Sequence, residues 1–171
     1  MAEPLNDFGP IDELKPEAIG VPGNRRFRLL LRQGRRTACF WMEKQQLGAL
    51  ADAVSELLTQ VEGGQGLTEP SASGSFPEPY EIEVQTGRLA LGYNEASGLF
   101  LLLLYDIDAE SEAQENASED EEAEVTAANM RPTLRCEATR AQLEKFYSDS
   151  AQVIQAGRPP KPSKNGHFHA N

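Results

Sequence analysis

The sequence predicts an α+β fold: a single antiparallel sheet of about six strands with two helices packed on one face. Three observations predict it. Apolar and polar residues alternate along several short runs, the signature of half-buried strands. Two longer stretches instead place apolar residues at helical spacing. Finally, the chain matches itself when shifted by 96 residues, so that each half reads as a ββα-like unit of strand, strand and helix.

Each element follows from its residues. Residues 1–23 are punctuated by Pro4, Pro10, Pro16, Pro22, Gly20 and Gly23 and read as an extended N-terminal segment with a short strand near Ala18–Val21. From Arg26 to Arg32, Phe27, Leu29 and Leu31 point one way, and Arg26, Arg28 and Arg32 the other. Gln33-Gly34 supplies a turn into a second strand, Arg36–Met42, which is apolar on both faces after Thr37 and is therefore central. A helix is expected over Lys44–Gln60, with Leu47, Leu50, Ala51, Val54, Leu57 and Leu58 on one stripe and Gly63-Gly64 as its stop. Residues 62–79 are rich in Gly, Ser and Pro and read as a flexible linker. Tyr80, Ile82 and Val84 then alternate with Glu81, Glu83 and Gln85. Thr86-Gly87 turns into Arg88–Tyr93, Asn94–Gly98 makes a further turn, and Leu99–Tyr105 reads as a strand buried on both faces.

An acidic, disordered loop is expected over residues 106–128. Met130–Glu137 is the last strand, placed at an edge because Pro132 cannot donate to a ladder. Thr139-Arg140-Ala141-Gln142 is a capping box that opens a helix to about Gln155, with Leu143, Phe146, Tyr147, Ser150, Val153 and Ile154 on one stripe. Residues 24–160 thus form a single domain, and residues 161–171 a disordered tail. In the repeat, Thr37 falls on Thr133, Phe40 on Cys136, Gln46 on Gln142 and Leu47 on Leu143; Leu50, Leu57 and Leu58 fall on Phe146, Val153 and Ile154.

Composition narrows the function. The longest unbroken apolar run, Leu99–Tyr105, is seven residues, where a membrane span needs roughly 18 or more. The opening residues carry Glu3, Asp7, Asp12, Glu13 and Glu17 and do not resemble a secretory signal. The two cysteines, Cys39 and Cys136, sit in strand-like runs as small buried hydrophobes, which suits a reducing cytoplasmic setting. The net charge of −11 is local: Asp106–Glu124 holds ten carboxylates and no Lys or Arg, leaving −1 for the rest.

Five segments carry a family resemblance: Val21-Pro22-Gly23-Asn24-Arg25, Glu43-Lys44-Gln45-Gln46, Leu91-Gly92-Tyr93-Asn94-Glu95, Thr139-Arg140-Ala141-Gln142 and Ala156-Gly157-Arg158-Pro159-Pro160. Together, and in this order, they resemble an uncharacterised bacterial family, domain of unknown function three thousand and ninety. The resemblance implies a small cytosolic α+β protein and no particular reaction. It also implies a zinc-ribbon-like tail with a Cys-x-x-Cys pair and a later Gly-His-x-Cys. Here Gly166-His167 matches, but the cysteines are missing and His169 stands where the last would be. A structural zinc site needs four ligands, so the metal site is not carried over and no cofactor is expected.

Catalytic chemistry finds little support. The only histidines, His167 and His169, are in the tail, and Gly63-Gly64-Gln65-Gly66 follows a helix instead of opening one, so it cannot cradle a phosphate. Asp106-Ile107-Asp108 begins like a calcium loop but lacks its Gly and its closing Glu. The strongest polar feature is basic: Arg25, Arg26, Arg28, Arg32, Arg35 and Arg36 are six arginines within twelve residues. Arg26, Arg28 and Arg32 are candidate ligand contacts for an acidic ligand or protein partner, and the competing role is pairing with Glu81, Glu83 or Glu137. Glu43 and Gln45, where strand meets helix, are further candidates, with capping as the competing role. Trp41 is expected in the core. The expected function is a non-catalytic cytosolic binding or adaptor protein. Two alternatives stay open: an enzyme acting on an anionic substrate at an arginine-lined site, and a nucleic-acid binder through the 25–36 hairpin, which the net charge disfavours. If the acidic loop competes for the arginines, deleting Asp108–Glu124 strengthens polyanion binding in a salt-dependent way; a deletion variant with no detectable binding at low salt refutes this.

Overall fold

The computed structural model describes residues 3–21, 23–62, 76–108 and 131–156. Most of the expected linker, the greater part of the acidic loop and the tail with His167 and His169 lie outside the described residues. The fold is α+β, with two helices and one sheet, as expected, but the sheet has seven strands and is mixed. In chain order the elements are β1 (Asp7–Pro10), β2 (Glu13–Val21), β3 (Asn24–Gln33), β4 (Arg36–Met42), α1 (Lys44–Gln60), β5 (Ile82–Asn94), β6 (Leu99–Asp106), β7 (Leu134–Ala138) and α2 (Arg140–Ala156). Across the sheet they run β1-β7-β6-β5-β4-β3-β2. The pairs β4–β5 and β1–β7 are parallel, which corrects the all-antiparallel expectation.

The N-terminal segment is the largest departure. It contributes both outer members of the strand order, although only Ile11 and Asp12 separate β1 from β2. The Ile11 N–H donates to the carbonyl of Glu137 on β7 at 2.9 Å, and the next N–H, of Asp12, donates to Arg32 on β3 at 2.8 Å. Successive N–H groups of an extended chain point to opposite sides. The chain therefore passes between β7 and β3 and joins the two ends of the sheet. β5 behaves the same way: Ile82–Gln85 pair in parallel with β4, and Thr86–Asn94 pair with β6, with an irregularity between Thr86 and Arg88. The expected turn at Thr86-Gly87 is this partner change within one strand.

Each half thus consists of a partner-changing strand, two more strands and a helix, one strand more than the expected unit. Both helices are 17 residues long and begin 96 residues apart. Thr37 and Thr133 are both buried and occupy corresponding places. The Thr37 carbonyl accepts from the Glu81 N–H, and the Thr133 carbonyl from Asn6 Nδ2, each at 2.9 Å. Gln46 and Gln142 also correspond. Each accepts the N–H of its N-cap residue, Glu43 or Thr139, and its amide nitrogen reaches a partner-changing strand: Gln46 donates to Thr86 and Gly87, and Gln142 to Ile11. β7, expected at an edge, is internal, and Pro132 lies before it.

Leu47, Leu50, Ala51 and Val54 of α1 and Leu143 and Phe146 of α2 join one core with Leu29, Leu31, Phe40, Leu102, Leu104 and Leu134 of the sheet. Burying each large side chain stabilises by about 1.5–3 kcal/mol. Trp41 departs from expectation, lying half-buried on the outer face of the sheet. Cys39 and Cys136 are buried free thiols. Desolvation pushes the Cys39 thiol up to about 11 despite the nearby Arg28 charge, and complete burial drives Cys136 higher still.

Two expectations follow. Ser150 is fully buried on α2 and its hydroxyl has no hydrogen-bond partner among the described residues, whereas the corresponding residue of α1 is the buried Val54. Ser150→Ala removes an unsatisfied hydroxyl and improves helix propensity, so it should stabilise by about 1 kcal/mol, read as a rise in Tm of about 2–4 °C; a lowered Tm refutes the assignment. Neither thiol should react with Ellman's reagent in the native protein at mildly alkaline pH, and both should react once denaturant is added. Rapid modification of native Cys39 would contradict its placement.

Candidate functional site

The outer face of β3 carries the arginines that the sequence singled out, and their partners differ from those expected. Arg28 places Nη2 at 2.7 Å and Nε at 2.9 Å from Glu17 Oε1 on β2. Burial opposes the Arg28 charge, but the hydrogen bonds and charge of Glu17 outweigh it and hold its pKa above the ordinary arginine value. Arg32 faces Glu13 at 3.4 Å and Asp12 at 3.6 Å. Glu81 instead pairs with Arg36 at 2.7 Å; these hydrogen bonds raise the Arg36 pKa and hold the Glu81 carboxyl below the usual carboxylate range. Glu83 accepts from Trp41 Nε1 at 2.9 Å, and Glu137 lies 3.5 Å from Arg135. Arg28 and Arg32 are therefore neutralised where they stand.

Arg26 is different. Its guanidinium stacks over the Trp41 ring, 4.0 Å from the centroid, and has no carboxylate partner among the described residues. It opens onto a cleft of about 400 Å³ lined by Gly23, Arg25, Phe27, Met42, Glu43, Lys44 and Gln85 together with Arg26 and Trp41. The hairpin register explains the convergence. Phe27 pairs with Met42, so the start of β3, with Arg25 and Arg26, lies beside the end of β4, where Glu43 and Lys44 open α1. The positive φ of Gly23, 89°, lets the β2–β3 turn close tightly at the cleft rim. At the start of α1 the Glu43 N–H donates to Gln46 Oε1 at 2.8 Å in a capping-box arrangement.

The cleft is cationic by omission of partners. Arg25, Arg26 and Lys44 line it against the single carboxylate of Glu43, a net charge of +2. None of these three cations forms an ion pair among the described residues. Arg25 Nε is shielded from solvent and has no hydrogen-bond acceptor among the described residues, as is also true of Nε in the ion-paired Arg32. In the other half the corresponding cation is engaged within the protein. There Arg140, which corresponds to Lys44, donates to the carbonyls of Leu58 and Val61 at the end of α1.

Of the candidates named from sequence, the structure thus brings Arg26 and Glu43 together, leaves Arg28 and Arg32 in ion pairs outside the cleft, and places Gln45 exposed beside it. Arg25, Lys44, Trp41 and Gln85 were not among them, although counting back from the Gly34 turn would have set the first two at the same end of the β3–β4 hairpin. A second groove, of about 420 Å³ between α1 and β5, is lined mainly by Ala49, Leu50, Ala53, Leu89 and Leu91, with Arg88 and Gln46 as its charged and polar members. Among the described residues no helix is long and apolar enough to cross a membrane, and no three His, Cys, Asp or Glu side chains converge as a metal site.

Two of the segments that carry the family resemblance, Val21–Arg25 and Glu43–Gln46, meet at the cationic cleft. No curated protein matches the chain. No solved structure matches it either. One family model does, over residues 6–166, nearly the whole length, and the chain therefore belongs to the family described as protein of unknown function DUF3090.

Proposed function

We propose that this is a non-catalytic, cytosolic binding protein whose ligand is a small anion held in the cleft between the β2–β3 turn and the start of α1. One observation carries the reading: Arg25, Arg26 and Lys44 converge there without carboxylate partners, while the neighbouring arginines of the same face are paired. Charge-assisted hydrogen bonds from guanidinium groups to an oxyanion are among the stronger polar contacts available to a protein. Phe27, Met42 and Trp41 give an organic portion of the ligand an apolar wall. The two free, buried cysteines suit a reducing compartment.

The paired state of Arg28 and Arg32 weighs against the nucleic-acid alternative, because a backbone-tracking surface needs a row of free cations. An enzyme would need an acid or base poised beside the ligand. The titratable groups lining the cleft are two arginines, a lysine and a glutamate engaged in helix capping, and binding alone accounts for them.

Trp41 is the single tryptophan and lies in the cleft wall, so its emission reports occupancy directly. Titration with inorganic phosphate should give a saturable change in Trp41 fluorescence. Arg25→Gln combined with Arg26→Gln should weaken binding by about tenfold or more, whereas Arg32→Gln should leave it within about twofold of the parent. Absence of saturable binding by both fluorescence and calorimetry overturns the reading.

A further inference from the structure

Resting on that reading, we propose that the ligand is a dianion of the phosphomonoester class. The argument is one of charge and register. The cleft carries three cations and one carboxylate, a net +2 held by side chains that come from two adjacent strand ends and the first turn of α1. A ligand of charge −2 neutralises that set; a monoanion leaves one unit of positive charge unmatched. The cations are also clustered. The hairpin register sets the start of β3, where Arg25 and Arg26 are consecutive, beside the end of β4, from which α1 opens at Lys44. Clustered donors suit a single group that concentrates its charge on three equivalent oxygens, more than two carboxylates held apart by a carbon chain. Arg25 Nε, shielded and without an acceptor among the described residues, is one donor such an oxygen would satisfy. Phe27, Met42 and Trp41 line the same space, which fits an esterified phosphate with a carbon substituent and not free inorganic phosphate alone.

The charge argument has a pH signature whose sign is fixed. A phosphomonoester loses its second proton near about pH 6. The charged groups facing the cleft are Arg25, Arg26, Lys44 and Glu43, and guanidinium and ammonium groups keep their charge throughout the range from about pH 5 to about pH 8. Affinity for a monoester should therefore rise as pH increases through about 6 and then level off. Sulfate is doubly charged across the whole range and should bind with no such rise.

The test is calorimetric titration of the full-length chain with methyl phosphate, dimethyl phosphate and sulfate at several pH values. Methyl phosphate is expected to bind at least about tenfold more tightly than dimethyl phosphate at neutral pH, with the affinity falling on acidification. Lys44→Gln, which lowers the cleft charge by one, is expected to reduce that discrimination while leaving the melting temperature near that of the parent. Equal binding of monoester and diester, or a sulfate affinity that falls in parallel with that of methyl phosphate, overturns the dianion assignment and leaves the anion-binding reading standing. Failure of all three probes to bind overturns both.

Discussion

The architecture depends on two strands that change partners halfway along. Such a strand lets one sheet curl around a pair of helices, but it leaves backbone groups without ladder partners at the point of change. A buried amide or carbonyl in that state is costly. Gln46 and Gln142 answer this need. Their amide nitrogens bond the carbonyls of Thr86 and Gly87 in one half and of Ile11 in the other, while their amide oxygens cap the helices that follow β4 and β7. One side chain thus fixes a strand break and a helix start together, which ties the position of each helix to the curvature of the sheet.

That tie determines where charge is left over. β2 runs beside β3 and brings Glu13 and Glu17 opposite Arg32 and Arg28, so the middle of the arginine-rich face is neutralised by its own neighbour. Beyond the reach of those carboxylates, near the turn, Arg25 and Arg26 line a cleft with Trp41, Gln85 and the start of α1. The second half meets the same geometry with Arg140, and spends it on the carbonyls at the end of α1. The two halves share a frame: Arg140 is engaged within the protein, whereas among the described residues no ion pair holds Lys44.

Much of this was legible in the residues. α1 over Lys44–Gln60, the β3–β4 hairpin and the correspondence of Gln46 with Gln142 all follow from spacing, because local periodicity and capping chemistry are set by neighbours in sequence. The N-terminal strands were only partly legible: the short strand read near Ala18–Val21 is the end of β2, but the rest of β2 and all of β1 were missed. Pro10, Pro16 and the nearby glycines read as breakers, and only distant pairing with β7 and β3 turns them into strand, a case of tertiary context overriding propensity. Trp41 misled for a related reason: a run that is apolar on both faces gives no sign of which face will meet carboxylates and arginines. The cleft was half legible. Arg26 and Glu43 were in view, but choosing Arg25 over Arg28 required knowing that β2 would supply Glu17.

The parallel pairing of β1 with β7 has a consequence for biosynthesis. β1 leaves the ribosome early and its partner leaves late, with Asp7 opposite Arg135 and Pro10 opposite Glu137. During translation the first strand emerges into solvent with one edge vacant, and no local contact can substitute for the missing neighbour. Pairing of β1 must therefore wait until β7 has been synthesised, and contacts of such wide sequence separation are slow to form. Chaperone engagement during that interval would protect the open edge from pairing with other polypeptides.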